Sequence, residues 1–337
     1  MFPLQRSRRL RTSEAIRTIV RETTLSPSDF MFPMFITEGE NYKSEIPSMP
    51  GIYRRSIDLT VEEVKEVFAL GIRAVNIYVK VDESLKDNTG KEAWNPNGLM
   101  QRAIKAIKAA CPEMIVMPDV ALDPYSIYGH DGIIENLPAG RQGGDIANDA
   151  TNEALVKMAV SHAQAGADFV APSDMMDGRV LRLRQGLDAA GFSNVGIMSY
   201  SAKYASAFYG PFRDALDSAP VDNAEIPKDK KTYQMDYANR IEAIKEALMD
   251  VEEGADMVMV KPGIAYLDIV REVKNAVNVP VTVFHVSGEY AMIKAASERG
   301  WLDHDKIMME QLMCIKRAGA SLISTYFAKE AAVLLNI

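Results

Sequence analysis

The chain is poor in cysteine: 337 residues hold two, Cys111 and Cys314, neither in a CxxC pair nor in a Cys/His cluster. That excludes a disulfide-stapled scaffold and a cysteine-built zinc site. It leaves two small buried hydrophobes in a reducing compartment. Long apolar runs are missing too. No stretch reaches the ~18 uninterrupted apolar residues of a membrane span, and Met1–Thr12 is basic, without the apolar core of a secretory signal. Overall basic charge is absent: 38 Lys and Arg against 46 Asp and Glu give −8, which argues against a general nucleic-acid binder. No GxGxxG turn follows an early strand, as a doubly wound dinucleotide-binding sheet would require. The expectation is a cytoplasmic protein whose partners include neither membrane nor nucleic acid.

What is present suits a large soluble core: 47% hydrophobic and 25% charged residues. The length fits either two average domains or one α/β barrel, which uses roughly 250 residues as a single domain. The order of elements favours the barrel. Apolar β-type runs are predicted at Phe32–Thr37, Ala74–Val79, Met114–Asp119, Asp168–Ala171, Gly196–Tyr200, Asp256–Val260, Val281–Val286 and Leu322–Tyr326. Amphipathic runs follow them at Thr60–Leu70, Gly98–Ala110, Asn152–Ala165, Gly178–Ala190, Tyr237–Glu253, Tyr266–Ala276, Gly288–Arg299 with His304–Ala318, and Ala328–Leu335. Eight strand–helix units are the number at which a parallel sheet closes on itself. Three echoes, Ala165–Asp168, Glu253–Asp256 and Ala318–Ser321, each read as a helix end, a glycine cap and a strand entry. The fold class is therefore α/β, a (β/α)8 TIM barrel over residues 31–337, preceded by an extended N-terminal arm, 1–30. The arm carries Arg6, Arg8, Arg9, Arg11, Arg17 and Arg21. It reads as a solvated face, a nucleic-acid contact or a dock on an acidic neighbouring subunit.

Barrel enzymes place their chemistry at the C-terminal ends of the strands. There, Lys261 follows the apolar run Met257–Val260 and precedes a proline. Burial lowers a lysine's pKa and frees the neutral amine that attacks a ketone or aldehyde. Lys203 lies just past the neighbouring strand, and two close amines depress each other further. Either lysine alone reads equally as a strand-end side chain reaching solvent. Ser287 and Tyr326 could donate hydrogen bonds to a substrate carboxylate. The connection 205–234 is long enough for a lid, and within it Arg213, Lys230 and Gln234 could hold a second carboxylate. Asp119 ends the third strand, with Asp123 and Asp131 soon after.

At Arg6–Arg11, Ile46–Ile52, Ala171–Arg179, Met198–Ser206, Phe208–Arg213, Gly254–Pro262, Val286–Met292 and Lys316–Ala320 the sequence resembles the porphobilinogen synthases, or 5-aminolevulinate dehydratases. The match runs along most of the chain. The resemblance implies a lyase that condenses two 5-aminolevulinate molecules to porphobilinogen, an early step of tetrapyrrole and haem synthesis. It implies a homo-octamer in which the arm wraps a neighbour, and Schiff bases at Lys261 and Lys203. Ser287 and Tyr326 would hold the carboxylate of the substrate on Lys261. Arg213, Lys230 and Gln234 would hold a carboxylate beneath the lid, and Asp119 would contact substrate. Zinc-dependent members carry three cysteines after the third strand; here Ala121, Asp123 and Asp131 stand in those places. Hard carboxylates suit magnesium or a monovalent cation rather than zinc. Glu246, by the same resemblance, would hold an allosteric magnesium. Two departures stand out: a Pro/Gly-containing insertion at 136–144, and Lys230 where many relatives have arginine. The rival readings are another Schiff-base barrel enzyme, such as an aldolase needing one lysine, and a non-catalytic assembly protein that keeps the barrel and arm.

Overall fold

A computed structural model describes residues 3–136, 144–216, 218–221 and 226–336. Eight strands form the barrel: β1 (Phe30–Thr37), β2 (Ala74–Lys80), β3 (Ile115–Val120), β4 (Phe169–Pro172), β5 (Gly196–Lys203), β6 (Met257–Lys261), β7 (Val281–His285) and β8 (Leu322–Thr325). Each pairs in parallel with its chain neighbours, and β8 returns to β1 through Phe30↔Ile323 and Met31↔Ser324, so the sheet has no open edge. Strands in such a sheet are covered on both faces, one by helices and one by the barrel interior. The sequence meets that demand with near-continuous apolar runs: Phe30–Ile36 is buried throughout, as are Val281–His285.

The three echoed segments are helix ends closed by glycines in the left-handed region, at Gly166, Gly254 and Gly319. A residue with a Cβ resists that backbone, so glycine there ends the helix and turns the chain into the next strand.

Several boundaries differ from the sequence reading. The helix expected from Tyr237 starts at Ile241, because Asp236 accepts the Ala238 amide and bends the chain into a turn first. The helix expected from Asn152 starts at Asn148. Strand β5 runs on to Lys203, so this lysine is the last strand residue rather than one beyond it. Two small hairpins escaped notice: Lys43–Glu45 with Tyr53–Arg55, and Ile134–Asn136 with Gly144–Ile146. The second brackets the insertion, whose residues 137–143 lie outside the described residues. Cys111 is buried, but Cys314 is only half-buried.

The arm carries a short turn, Ser7–Arg11, and a helix, Glu14–Ile19, neither burying a residue. Among the described residues no helix is long and apolar enough to cross a membrane.

The β8–β1 seam makes a clear stability prediction. Ile323 is fully buried where β8 meets both β1 and β7. Ile323→Ala should cost about 2–5 kcal/mol and Ile323→Val about 0.5–1.5 kcal/mol in urea denaturation. Equal losses for the two variants would mean that the seam is not packed as described.

Candidate active site

The register of β5 and β6 places Lys203 directly beside Lys261, at the C-terminal mouth of the barrel. Both are buried. The two ammonium groups nevertheless meet different surroundings. Lys203 Nζ donates to the Ser173 carbonyl and to Asp131 Oδ2 at 3.4 Å. Lys261 Nζ instead lies among four aromatic rings, 4.5 Å from the Phe284 centroid, 5.0 Å from Phe212, 5.1 Å from Tyr200 and 5.2 Å from Tyr209. Burial, and then the positive charge of Lys203, pull the Lys261 pKa down to about 7. A large fraction of Lys261 is therefore neutral amine near neutral pH.

The floor beneath the amine is a buried polar triangle. The Tyr78 and Tyr200 hydroxyls lie 2.8 Å apart, each also within hydrogen-bond reach of Asn76 Oδ1, and their two protons are shared among these three contacts, while Asn76 Nδ2 donates to the Met117 carbonyl at 2.7 Å. This network fixes the Tyr200 ring that faces Lys261.

On the Lys203 side, Lys230 Nζ reaches Asp131 Oδ1 at 2.8 Å and Asp123 Oδ2 at 3.3 Å. Gln234 Nε2 donates to Asp131 Oδ2 at 3.4 Å. Burial alone would raise Asp131, but the Lys203 and Lys230 charges outweigh it and hold the carboxyl well below the usual range. Asp119 differs: burial, then the neighbouring Asp123 charge, push it up to about 7, and its Oδ1 lacks a hydrogen-bond partner among the described residues. Lys261, Lys203, Asp119, Arg213, Lys230 and Gln234 all line one cleft. Six residues singled out in the sequence thus converge on one space.

Ser287 and Tyr326 are placed next to that cleft rather than in its lining. Ser287 Oγ accepts the Phe212 amide at 3.0 Å and donates to the Phe208 carbonyl at 3.3 Å, so the 205–234 segment occupies it. The buried Tyr326 hydroxyl has no hydrogen-bond partner among the described residues. Its ring is 6.1 Å from Phe284, the ring closest to Lys261 Nζ. Within the segment, residues 217 and 222–225 lie outside the described residues.

Asp123 and Asp131, where a hard cation was expected, have lysine partners in the structure. Their carboxylates face the lysine ammoniums, and among the described residues no group of three or more His, Cys, Asp or Glu could hold a metal ion. The residues present therefore do not fit a three-ligand active-site metal. Glu246 stands elsewhere. It is half-buried and lines a separate cleft with Asp145, Asp177, Asp236 and Glu242. Burial, then Asp250, raise its pKa.

Sequence reasoning missed the aromatic cage and the Ser173 carbonyl. The cluster of aromatics at Phe208, Tyr209 and Phe212 was the available signal for the cage. A backbone carbonyl leaves no trace in a sequence.

The low Lys261 pKa has a direct readout. Trace labelling of lysines with an amine-acylating reagent, followed by peptide mass spectrometry, should show Lys261 reactivity climbing through about pH 7 and then levelling off. A midpoint near that of an ordinary lysine would contradict the described environment.

The delta-aminolevulinic acid dehydratase family model matches residues 4–334. A delta-aminolevulinic acid dehydratase of Synechococcus elongatus is 51% identical over 333 residues, covering 98% of this chain and 99% of its own. The chloroplastic enzyme of Chlamydomonas reinhardtii is 52% identical over 97% of this chain and 83% of its own. Among solved structures, the delta-aminolevulinic acid dehydratase (porphobilinogen synthase) of Toxoplasma gondii, in complex with the product porphobilinogen, superposes with a TM-score of 0.94. It is 47% identical and covers 99% of this chain and 92% of its own. With a closed eight-strand barrel, paired mouth lysines and a match that runs nearly end to end, the chain belongs to the delta-aminolevulinic acid dehydratase family.

Proposed function

We propose that this chain is a lyase that condenses two 5-aminolevulinate molecules to porphobilinogen with loss of two waters. The observation that carries this reading is the Lys203–Lys261 pair, adjacent in register with one amine whose pKa is lowered to about 7. A reaction that joins two identical amino-ketones needs two carbonyl-binding groups within bonding distance of one another. Paired strand ends supply that spacing.

Each lysine attacks the ketone of one substrate and expels water as the imine forms. The imine carbon's neighbour on one molecule loses a proton and becomes an enamine. The enamine attacks the imine carbon of the other molecule, and the carbon–carbon bond is made. The second molecule's free amino group then attacks the first imine and expels its lysine. Elimination of the remaining lysine and loss of a ring proton give the aromatic pyrrole. Both lysines are returned as amines. Asp119, buried and unpartnered at one oxygen, can hold a substrate amino group or accept a proton.

The segment 205–234 serves as the lid, with Arg213, Lys230 and Gln234 holding one substrate carboxylate. Ser287 and Tyr326 hold the other, once the lid backbone releases the serine hydroxyl. Glu246, away from the reacting groups, would hold a magnesium ion. This ion keeps several of its waters, so a single protein carboxylate with acidic neighbours suits it. The arm exposes Leu4, Leu10, Ile19 and Val20, an apolar surface fit to dock on a second copy in a homo-octamer.

Colorimetric pyrrole detection with 5-aminolevulinate tests the reaction. Wild-type protein should form pyrrole, while Lys261→Met and Lys203→Met should each lose activity by at least a hundredfold. A Lys203→Met enzyme with full turnover would turn the reading toward a one-lysine aldolase. Chelation with EDTA should lower both rate and assembly size on gel filtration. If neither moves, magnesium has no place at Glu246.

A further inference from the structure

Glu289 is one residue the reaction scheme leaves unused. It is buried to 2% exposure at the third position of the helix Ser287–Glu298, which follows β7. One task of its carboxylate is ordinary helix capping: Oε2 accepts the Val286 amide at 2.8 Å. The other task reaches across the mouth of the barrel. Oε2 also accepts the Gly263 amide at 3.3 Å, and Oε1 accepts the Ile264 amide at 2.5 Å.

Those two amides are the first donors after Lys261, because Pro262 has no N–H. The turn that ends the strand of Lys261 is thus tied to a carboxylate from the next strand–helix unit. The same carboxylate fixes the backbone just before Ser287, whose hydroxyl engages the lid at Phe208 and Phe212. Packing leaves these parts little freedom. A Cβ on Gly263 would come within 3.1 Å of the Phe284 carbonyl, and one on Gly288 within 2.5 Å of the Phe208 carbonyl.

We infer that Glu289 is a positioning residue for the reaction, one that locks the Lys261 turn, the Ser287 helix start and the closed lid into a single unit. Burial pushes the Glu289 carboxyl up to about 7, against three backbone amides and a helix N-terminus that favour negative charge, and its oxygens accept the same amide hydrogens in either protonation state. The inference rests on the proposed role of Lys261 as a Schiff-base lysine.

The test compares wild type with Glu289→Gln. Glutamine keeps the size but offers one acceptor oxygen, and it turns an amide NH2 toward backbone N–H groups. The variant should show a thermal midpoint within a few degrees of wild type. Its kcat for pyrrole should fall by about ten- to a hundredfold, as a misplacement near 1 Å can cause. Borohydride trapping of 5-aminolevulinate, mapped by mass spectrometry, should slow in parallel at Lys261 and keep its wild-type rate at Lys203. A folded Glu289→Gln enzyme with wild-type kcat and trapping at Lys261 overturns the inference. Equal slowing at both lysines does so as well, since that marks a general structural defect. Should Glu289→Gln not fold, Gly263→Ala disturbs the same tie from the other end and carries the same expectations and the same overturning results. Wild-type protein that is not trapped at Lys261 at all would bring down the functional reading instead, and is read in the same experiment.

Discussion

Everything at the barrel mouth depends on keeping two lysines side by side in a dry space. Two ammonium groups that close repel, and burial removes the water that would screen them. The structure resolves the conflict by treating them unequally. Lys203 keeps a carboxylate at 3.4 Å and a carbonyl acceptor. Lys261 is given four ring faces, and its pKa falls to about 7, so it gives up its proton readily near neutral pH. The same step that relieves the repulsion prepares the nucleophile.

The barrel supplies the rigidity this arrangement needs. Closure through β8–β1 removes edges and fixes each strand's register, and register is what sets Lys203 opposite Lys261. Slippage by one residue would turn one lysine to the other face of the sheet. Below the mouth, the Asn76–Tyr78–Tyr200 triangle binds β2 to β5 across the barrel interior. Its hydroxyls and amide satisfy one another, so burying them costs little and orients the Tyr200 ring.

The architecture could be read from the sequence because closed parallel sheets demand apolar strands at regular intervals, and glycines at helix ends leave a visible mark. Lys261 was legible for a related reason, since a cation at the end of an unbroken apolar run stands out, and Lys203 from its matching place at the end of the neighbouring strand. Other features depend on distance rather than order. Asp123 and Asp131 look like hard-cation ligands in one dimension. They become partners of Lys230 and Lys203 only when the chain brings together residues 72 to 107 positions apart. Glu289 looks like an ordinary helix cap until the Gly263 and Ile264 amides are seen beside it. Ser287 reads from the sequence as a hydrogen-bond donor to a substrate carboxylate, and the lid backbone that occupies its hydroxyl leaves no trace there.

Charge bookkeeping explains why one cage of rings and one pair of carboxylates suit the same reaction. On the Lys203 side, two ammoniums face Asp123 and Asp131, so charge is balanced before substrate arrives. A protonated imine at Lys203 carries the same single charge as the ammonium it replaces, and the balance survives the chemistry. Among the described residues no carboxylate forms an ion pair with Lys261, Asp119 lying farther off in the same cleft, and there the charge must appear during the reaction. A compact ammonium depends heavily on water and is penalised in this setting. A protonated imine spreads its charge over carbon and nitrogen, needs less hydration, and can be stabilised by ring faces at 4.5–5.2 Å. The aromatic cage thus disfavours the resting cation more than the reacting one. That difference is the kind of selective stabilisation that accelerates a chemical step rather than merely binding its reactants.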